Sequence, residues 1–322
     1  MRRGVYVREH RETFGEYASR WLGSRRDVRA SSVVTYRKAL APFVVALGAR
    51  PLQSVTTADL DAVAADLLAA GGRSGTGASA RTVSTYLVAV GALFAAAERE
   101  GLIARDPSRA VVRPRVVAAE RPAYSGAELA TFIAATAAHR YGPLVRLLAL
   151  GMRRGEVLGL AWSAVDLDAG TLQVRASRSF VGTTAVLGEP KTSASVRTLQ
   201  LDAVTIAVLR AHRTRQAAEH LALGLPFGPG VLLASNEAGE PIHPDTFSYT
   251  VHGLMRRAGL PRIPVHSLRH SSVSAMLAAG VPLHVVARWH GHSPAVMMRT
   301  YAHADTDAMS AAGAAAAAVL AG

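Results

Sequence analysis

Apolar residues recur at every third or fourth position along the first part of the chain, and this spacing predicts amphipathic α-helices. Polar or glycine-rich breaks separate four such segments. Ser31 and Ser32 are the expected caps of the second helix, and the sequence Thr56-Thr57-Ala58-Asp59 is a cap signal for the third. The four helices would enclose one small core and form a helical domain over residues 1–105. They are expected at Thr13–Leu22, Ser31–Leu47, Thr56–Ala70 and Ala80–Glu100.

The pattern changes after this helical part. Residues 106–123 contain prolines and arginines without helical periodicity, which predicts an extended, basic interdomain linker. A second domain is predicted over residues 124–306, and an Ala-rich helix or tail over residues 307–322. The fold class expected is therefore mainly α with a small antiparallel β-sheet (α+β).

Within the second domain, Ser125 and Glu128 form a capping-box pattern at the start of the first helix. Alternating apolar and polar residues predict three strands, at 171–176, 180–186 and 194–201. Lys191 lies in the connection between the last two strands. Helices are expected at about 125–138, 142–150, 156–162, 202–223 and 243–258.

Composition restricts the class of partner and the cellular location that can be expected. The formal net charge is +13 and the sequence pI is about 11.0, which favours a polyanion. The chain has no cysteine, and its basic N-terminus is not followed by the apolar region of a signal peptide. The Ala-rich run from Met309 to Gly322 is too short to span a bilayer. We therefore expect a cytoplasmic protein without a membrane partner.

Basic and small polar residues in the first domain are candidates for contacts with the DNA backbone. Further arginines, Arg25, Arg26 and Arg29, lie close to the second helix. A solvated basic face is the alternative interpretation. The candidates are Arg37, Lys38, Arg81, Ser84 and Thr85.

The stretch from Pro264 to Asp305 collects groups suited to phosphate chemistry. His266, Arg269 and His270 share one face if they lie on a helix. A His290-Gly291-His292 turn follows, and Tyr301 and His303 lie beyond it. Tyrosine needs a base or a strong positive field to act as a nucleophile, because its pKa is ordinarily near 10.

Groups outside this stretch would complete a site for attack on a phosphodiester. Paired guanidinium groups stabilise the charge that develops on the non-bridging oxygens. Arg269 is one candidate, and either Arg153 or Arg154, before a predicted helix, is the other. Lys191 is a candidate general acid for the leaving oxygen, and Glu156 is expected to orient an arginine or a histidine.

In chain order, the segments GMRRGEVLGLAW, EPKTSASVRTL, HSLRH, HGHS and TYAH resemble the catalytic domain of the tyrosine recombinases, or phage-type integrases. The helices of residues 13–106 resemble the core-binding domain of that family. The resemblance implies that Arg153 and Arg269 hold the scissile phosphate, while His266 and His292 position it and handle protons. Glu156 matches the acidic residue that follows the first arginine of the family.

The resemblance also assigns the covalent chemistry. Lys191 would protonate the 5′-oxygen, and Tyr301 would become a 3′-phosphotyrosine without metal, ATP or another cofactor. Ser267 departs from the family, where an aspartate is common, and this departure is expected to loosen the local orientation without abolishing catalysis. Few residues precede the first predicted helix, which implies an arm-less, simple form.

The implied function is site-specific recombination that integrates a phage or mobile element in the cytosol and nucleoid of a bacterial host. The implied partners are double-stranded DNA at attachment-type sites, three further copies in a homotetramer, and a host accessory or directionality factor. The Ala-rich helix at 307–320 would either dock on a neighbouring copy or act as a degradation signal.

Other functions compete with this interpretation. A metal hydrolase would use His266, His270, His290 and His292, but no acidic residue precedes Asp305 in this stretch to support such ligands. A type IB topoisomerase would share the chemistry, although the small helical first domain favours a recombinase. A catalytically silent DNA-binding regulator is the remaining alternative, and the complete set of candidate residues argues against it.

Overall fold

The computed structural model describes residues 9–72, 75–117, 122–181, 184–188, 196–292 and 297–298. Contacts divide the chain into two units between residues 119 and 120, and each unit has its own hydrophobic core. The mainly helical architecture with a small amount of antiparallel sheet confirms the predicted fold class.

The described part of the first unit contains four α-helices that begin or end within a few residues of the predicted positions. Thr13 with Glu16 and Thr56 with Asp59 form capping boxes at the first and third helices. The predicted caps of the second helix are wrong, because Arg29 occupies the N-cap position and Ser31 and Ser32 lie inside the helix. The helices are α1 (Phe14–Ser24), α2 (Ala30–Leu47), α3 (Thr57–Ala70) and α4 (Ala80–Arg99).

Apolar faces of these four helices form the core of the first unit. Phe14 of α1 stacks on Phe94 of α4 with ring centroids 5.6 Å apart, and Phe43 of α2 is fully buried. Among the described helices, α4 is long and apolar enough to span a membrane by composition, but its apolar face belongs to this core.

The segment predicted as an extended linker begins with regular structure. Residues Pro107–Ala110 form a single 3₁₀ turn that packs on α3 and α4. Thr57 donates a hydrogen bond to the Pro107 carbonyl at 2.7 Å, and Asp61 accepts one from the Val112 backbone N–H at 3.1 Å. The Asp106 carboxylate caps this turn by accepting a hydrogen bond from the Ser108 backbone N–H. This local turn signal was overlooked because the prediction relied on the proline content of the segment.

The second unit contains seven described helices around a core that extends from Tyr124 to Leu268. The capping box of Ser125 and Glu128 is confirmed at the first of them. They are α5 (Gly126–Thr136), α6 (Gly142–Ala149), α7 (Arg154–Leu158), α8 (Ala203–Ala222), α9 (Pro244–Arg257), α10 (Ser267–Ala278) and α11 (Leu283–His290).

Five described strands form two separate antiparallel sheets, ordered β1-β2-β5 and β3-β4. The single strand predicted at 180–186 is wrong, because β3 ends at Val181 and β4 begins at Thr184, which pairs with it. In the sequence Gly182, a residue type that favours turns, stands between them, and the prediction from alternation gave it no weight. The strands are β1 (Val165–Asp166), β2 (Thr171–Val174), β3 (Ser177–Val181), β4 (Thr184–Gly188) and β5 (Arg197–Gln200). The predicted helix at 307–320 lies outside the described residues.

Candidate active site

A glycine turn between α6 and α7 places Arg153 at the N-cap of α7. Gly151 has a φ of +96°, which a residue with a side chain rarely adopts. A Cβ at this position would lie 2.4 Å from Nε2 of His290. The turn therefore requires glycine both for its backbone conformation and for the close approach of α11.

The Glu156 carboxylate is buried beneath this turn and accepts hydrogen bonds from two arginines. Arg153 donates from its backbone N–H at 2.9 Å and from Nη1 at 2.7 Å. Arg197, at the start of β5, donates from Nη2 at 2.9 Å and from Nη1 at 3.2 Å. Burial acts to raise the pKa of Glu156, but the two guanidinium groups outweigh it and hold that pKa below its ordinary value.

Arg269 is buried on α10 and donates to backbone carbonyls from two different segments. Its Nη1 donates to the Gly151 carbonyl at 2.6 Å, and its Nη2 donates to the His290 carbonyl. Arg153 donates from Nη2 to the next carbonyl along, that of Gly291, at 3.1 Å. Two consecutive carbonyls at the end of α11 therefore hold both arginines side by side.

His266 occupies the N-cap position of α10, where its side chain does not accept a hydrogen bond from the backbone of the first helical turn. Its ring lies edge-on to that of His270, with centroids 5.2 Å apart, as their spacing on one helical face predicted. His266 and Arg153 line one cleft of about 500 Å³. The side chains of His266 and Arg153 therefore face the same cleft, as the family resemblance implies for two residues that contact one phosphate.

His292 follows the end of α11 and is partly buried. Burial, then the positive charges of Arg269 and Arg153, lower its pKa to about 3, so the imidazole is neutral at pH 7. Its Nδ1 lies 3.2 Å from Sδ of Met297, a weak acceptor. A proton on Nδ1 leaves Nε2 as the proton acceptor of this ring.

His290 is a buried residue to which the family resemblance assigns no role. Its Nδ1 donates to the Val286 carbonyl at 2.9 Å, so its Nε2 accepts from the Ser272 hydroxyl at 3.1 Å. Burial is the main cause that lowers its pKa to about 4. Its ring stacks on that of His292 with centroids 6.4 Å apart.

The two neighbouring arginines that the residues alone left unresolved differ in environment. Arg153 contacts Glu156 and the Gly291 carbonyl, whereas Arg154 donates to Oγ of Ser248 at 2.6 Å on α9. Only Arg153 therefore lies with the carbonyls that hold Arg269.

The structure brings five predicted residues together: Arg153, Glu156, His266, Arg269 and His292. Lys191, Tyr301 and His303 lie outside the described residues.

Arg197 was missed, although its place on the inward face of the alternating β5 strand was a usable signal. No group of three or more potential metal-ligating residues occurs within the part of the chain that the structure describes.

In the first unit, the candidate DNA contacts differ in exposure. Arg37, Lys38, Arg81 and Thr85 are exposed, while Ser84 is half-buried. The Thr85 hydroxyl donates to the Arg81 carbonyl at 2.8 Å. Arg25 instead lies over the Trp21 ring, 4.7 Å from its centroid, so its side chain also stabilises the unit itself.

Comparisons with known proteins agree with this geometry. Residues 127–307 match the model of the phage integrase family, and residues 19–101 match that of the phage integrase N-terminal SAM-like domain. A tyrosine recombinase XerC-like protein of Caldanaerobacter subterraneus subsp. tengcongensis is 28% identical over 67% of this chain and 60% of its own length. The putative prophage phiRv2 integrase of Mycobacterium tuberculosis is 27% identical over 90% of this chain and 74% of its own length.

Solved structures show the same fold at low sequence identity. The Tn1549 transposon integrase in complex with transposon right end DNA has a TM-score of 0.78 at 18% identity, covering 95% of this chain and 99% of that one. A lambda integrase tetramer bound to a Holliday junction has a TM-score of 0.61 at 18% identity, covering 87% and 74%.

The family assignment rests on more than half of the chain. This chain spans only 60% and 57% of the lengths of two curated relatives, the XerC-like protein and the Escherichia coli prophage integrase IntR. The matched catalytic model nevertheless includes every candidate of the second unit from Arg153 to Tyr301. The chain therefore belongs to the phage integrase family, the tyrosine recombinases.

Proposed function

We propose that the chain is a site-specific DNA recombinase that cleaves and rejoins strands through a 3′-phosphotyrosine. The observation that carries this proposal is the placement of Arg153 and Arg269 on the consecutive carbonyls of Gly291 and His290, beside neutral His292. Two guanidinium groups at one point match the charge of a phosphodiester whose non-bridging oxygens gain charge during attack.

The proposed cleavage step transfers a phosphodiester bond from DNA to protein. The Tyr301 oxygen forms a bond to phosphorus while the bond to the 5′-oxygen breaks. The tyrosine proton passes to a nearby base, for which Nε2 of His292 is the candidate, and Lys191 donates a proton to the leaving oxygen. Attack by a 5′-hydroxyl reverses the step, so the bond energy is conserved and neither ATP nor metal is required.

The neutral state of His292 suits this role once DNA is present. The arginine charges contribute to lowering its pKa in the free protein. A bound phosphate offsets those charges and raises the basicity of the imidazole towards the range in which it accepts a proton. His266, in the same cleft as Arg153, is proposed to contact the phosphate as a hydrogen-bonding group.

The proposed substrate is double-stranded DNA carrying attachment-type sites of a phage or other mobile element. Two of the structurally similar proteins were solved with DNA, one of them as a tetramer on a Holliday junction. We extend DNA binding and assembly into a homotetramer to this chain as a proposal. We further propose that it acts in the cytoplasm of a bacterial host together with a host accessory or directionality factor. The basic residues of the first unit would contact the DNA backbone.

A nicked suicide substrate tests the proposal, because loss of the fragment beyond the nick traps the covalent adduct. The wild-type chain is expected to form an adduct that resists excess EDTA, and Tyr301→Phe is expected to bind the DNA without forming it. An adduct in Tyr301→Phe would identify a different nucleophile.

The two arginines provide a matched pair for the same assay. Arg153→Ala is expected to slow trapping by a factor of about 100 or more, since it removes charge stabilisation at the phosphate. Arg154→Ala, whose side chain points to Ser248, is the control and should remain near the wild-type rate. DNA binding without any adduct in the wild type would instead favour the alternative function, a catalytically silent regulator.

A further inference from the structure

Arg197 is a buried arginine that has no role in the cleavage step proposed for this site. It is the first residue of β5, and its side chain is only 5% exposed. The strand alternates, so Arg197 and Leu199 face inward. The connection that carries Lys191 immediately precedes this strand in the sequence.

The guanidinium of Arg197 joins two parts of the candidate site. Its Nη1 and Nη2 donate to the two oxygens of Glu156, the carboxylate that also holds Arg153. Its Nε donates to the Trp289 carbonyl at 2.7 Å. Trp289 directly precedes His290 and Gly291, whose carbonyls hold Arg269 and Arg153.

The charges around Glu156 explain why a second arginine matters. A buried carboxylate paired with Arg153 alone would leave that pair without net charge. With Arg197 included, two positive groups surround one negative group, and one positive charge remains for an incoming phosphate. The Arg153 side chain is still 31% exposed, so part of its fork remains accessible.

We propose that Arg197 is a positioning residue for strand cleavage, sharing Glu156 with Arg153 and tying the Glu156 carboxylate to the Trp289–His292 turn. This inference rests on the proposed recombinase function. Arg197 acts through Glu156 and the Trp289 carbonyl. By holding Glu156 in place, it sets the orientation of the Arg153 guanidinium group towards the scissile phosphate.

Single-turnover trapping on the nicked substrate tests this role, with DNA affinity measured separately. Arg197→Lys keeps a positive charge, but an ammonium lacks the planar fork that reaches both Glu156 oxygens and a carbonyl together. We expect its trapping rate to fall by about tenfold or more, with the trapped fraction and the Kd for DNA within about twofold of wild type. Arg210→Lys, at an exposed arginine paired with Asp168, is the control and should not change the rate.

A double variant tests whether the effect passes through Glu156. If it does, Arg197→Lys combined with Glu156→Gln should be no more than about threefold slower than the slower single variant. Losses that multiply would overturn the proposal, as would a wild-type rate in Arg197→Lys. A lower trapped fraction at an unchanged rate would show a purely structural role and would also overturn it.

A second substitution guards against misfolding. If Arg197→Lys does not fold, as judged by circular dichroism, Arg197→Gln replaces it, because glutamine supplies a neutral hydrogen-bond donor. The same slower trapping rate, with unchanged trapped fraction and DNA affinity, is then expected. Failure of the wild type to form any adduct would contradict the recombinase function, whereas normal wild-type trapping with an unaffected Arg197 variant contradicts only this inference.

Discussion

At the scale of single residues, the site depends on buried charges that satisfy one another. Glu156 is 2% exposed, and a carboxylate so buried is costly unless it is paired and hydrogen-bonded. Arg153 and Arg197 supply four hydrogen bonds to it. The modest role expected from the sequence, orientation of an arginine, agrees with these contacts, but the second arginine was not foreseen.

Buried neutral histidines make the stability of the second unit sensitive to acid. His290 is fully buried, and its pKa is lowered to about 4 from an ordinary 6.5. Below pH 6.5 the unfolded chain takes up a proton that the folded chain does not, so stability falls as the pH drops towards 4. Each such group removes about 1.4 kcal/mol of unfolding free energy per pH unit in this window.

We expect His290→Gln to flatten this dependence, because the group responsible for one proton is removed. The measurement is the free energy of unfolding in urea at several pH values between 6.5 and 4. His284→Gln, at an exposed position on the same helix, serves as the control and should retain the wild-type slope. An unchanged slope in His290→Gln would mean that this imidazole is protonated equally in both states.

At the scale of secondary-structure elements, local signals were predictable and long-range ones were not. The capping boxes at Thr56 and Ser125 involve side chains three residues apart, so the sequence contains the whole interaction. Neighbouring Ser31 and Ser32 carried a similar local preference, but α2 begins earlier. A terminal position depends partly on how the whole helix packs.

The site shows the same division between what can and cannot be predicted from sequence. Motif order selected Arg153, Arg269 and His292 as candidates, and the structure places them close together. Arg197 reaches Glu156 across 41 residues, and His290 reaches Ser272 across 18. Alternation along β5 indicates that Arg197 faces inward, but it does not identify the partner, because contacts of this kind form only when separate elements pack.

The turn between α6 and α7 makes a prediction at this scale. Gly151→Ala is expected to destabilise the protein by about 1–2 kcal/mol from its positive φ alone, with a further loss from the clash with His290. Gly253→Ala is the matched control, because that glycine lies inside α9 with no atom near the added Cβ. Urea unfolding should show a stabilisation of about 0.5–1 kcal/mol for the control. Equal effects of the two substitutions would contradict this account of the turn.

At the scale of the whole molecule, the net charge of +13 favours binding to the negatively charged DNA backbone. Lysines and arginines that neutralise DNA phosphates release counterions, so affinity falls as salt rises. Exposed Arg37 and Lys38 on α2 are the proposed contributors in the first unit. Arg210 differs from them, since Asp168 lies 2.8 Å away and already balances its charge.

These differences predict how the salt dependence of DNA binding responds to substitution. A plot of log affinity against log salt concentration should be steep for the wild type, and Arg37→Gln and Lys38→Gln should each reduce its slope by about one. Arg210→Gln should leave the slope unchanged. The measurement is fluorescence anisotropy with duplex DNA from about 50 to 200 mM salt. A slope that Arg210→Gln reduces as much as Arg37→Gln does would show that phosphate contacts extend to the ion-paired arginines, because loss of a contact lowers the slope whichever charge made it.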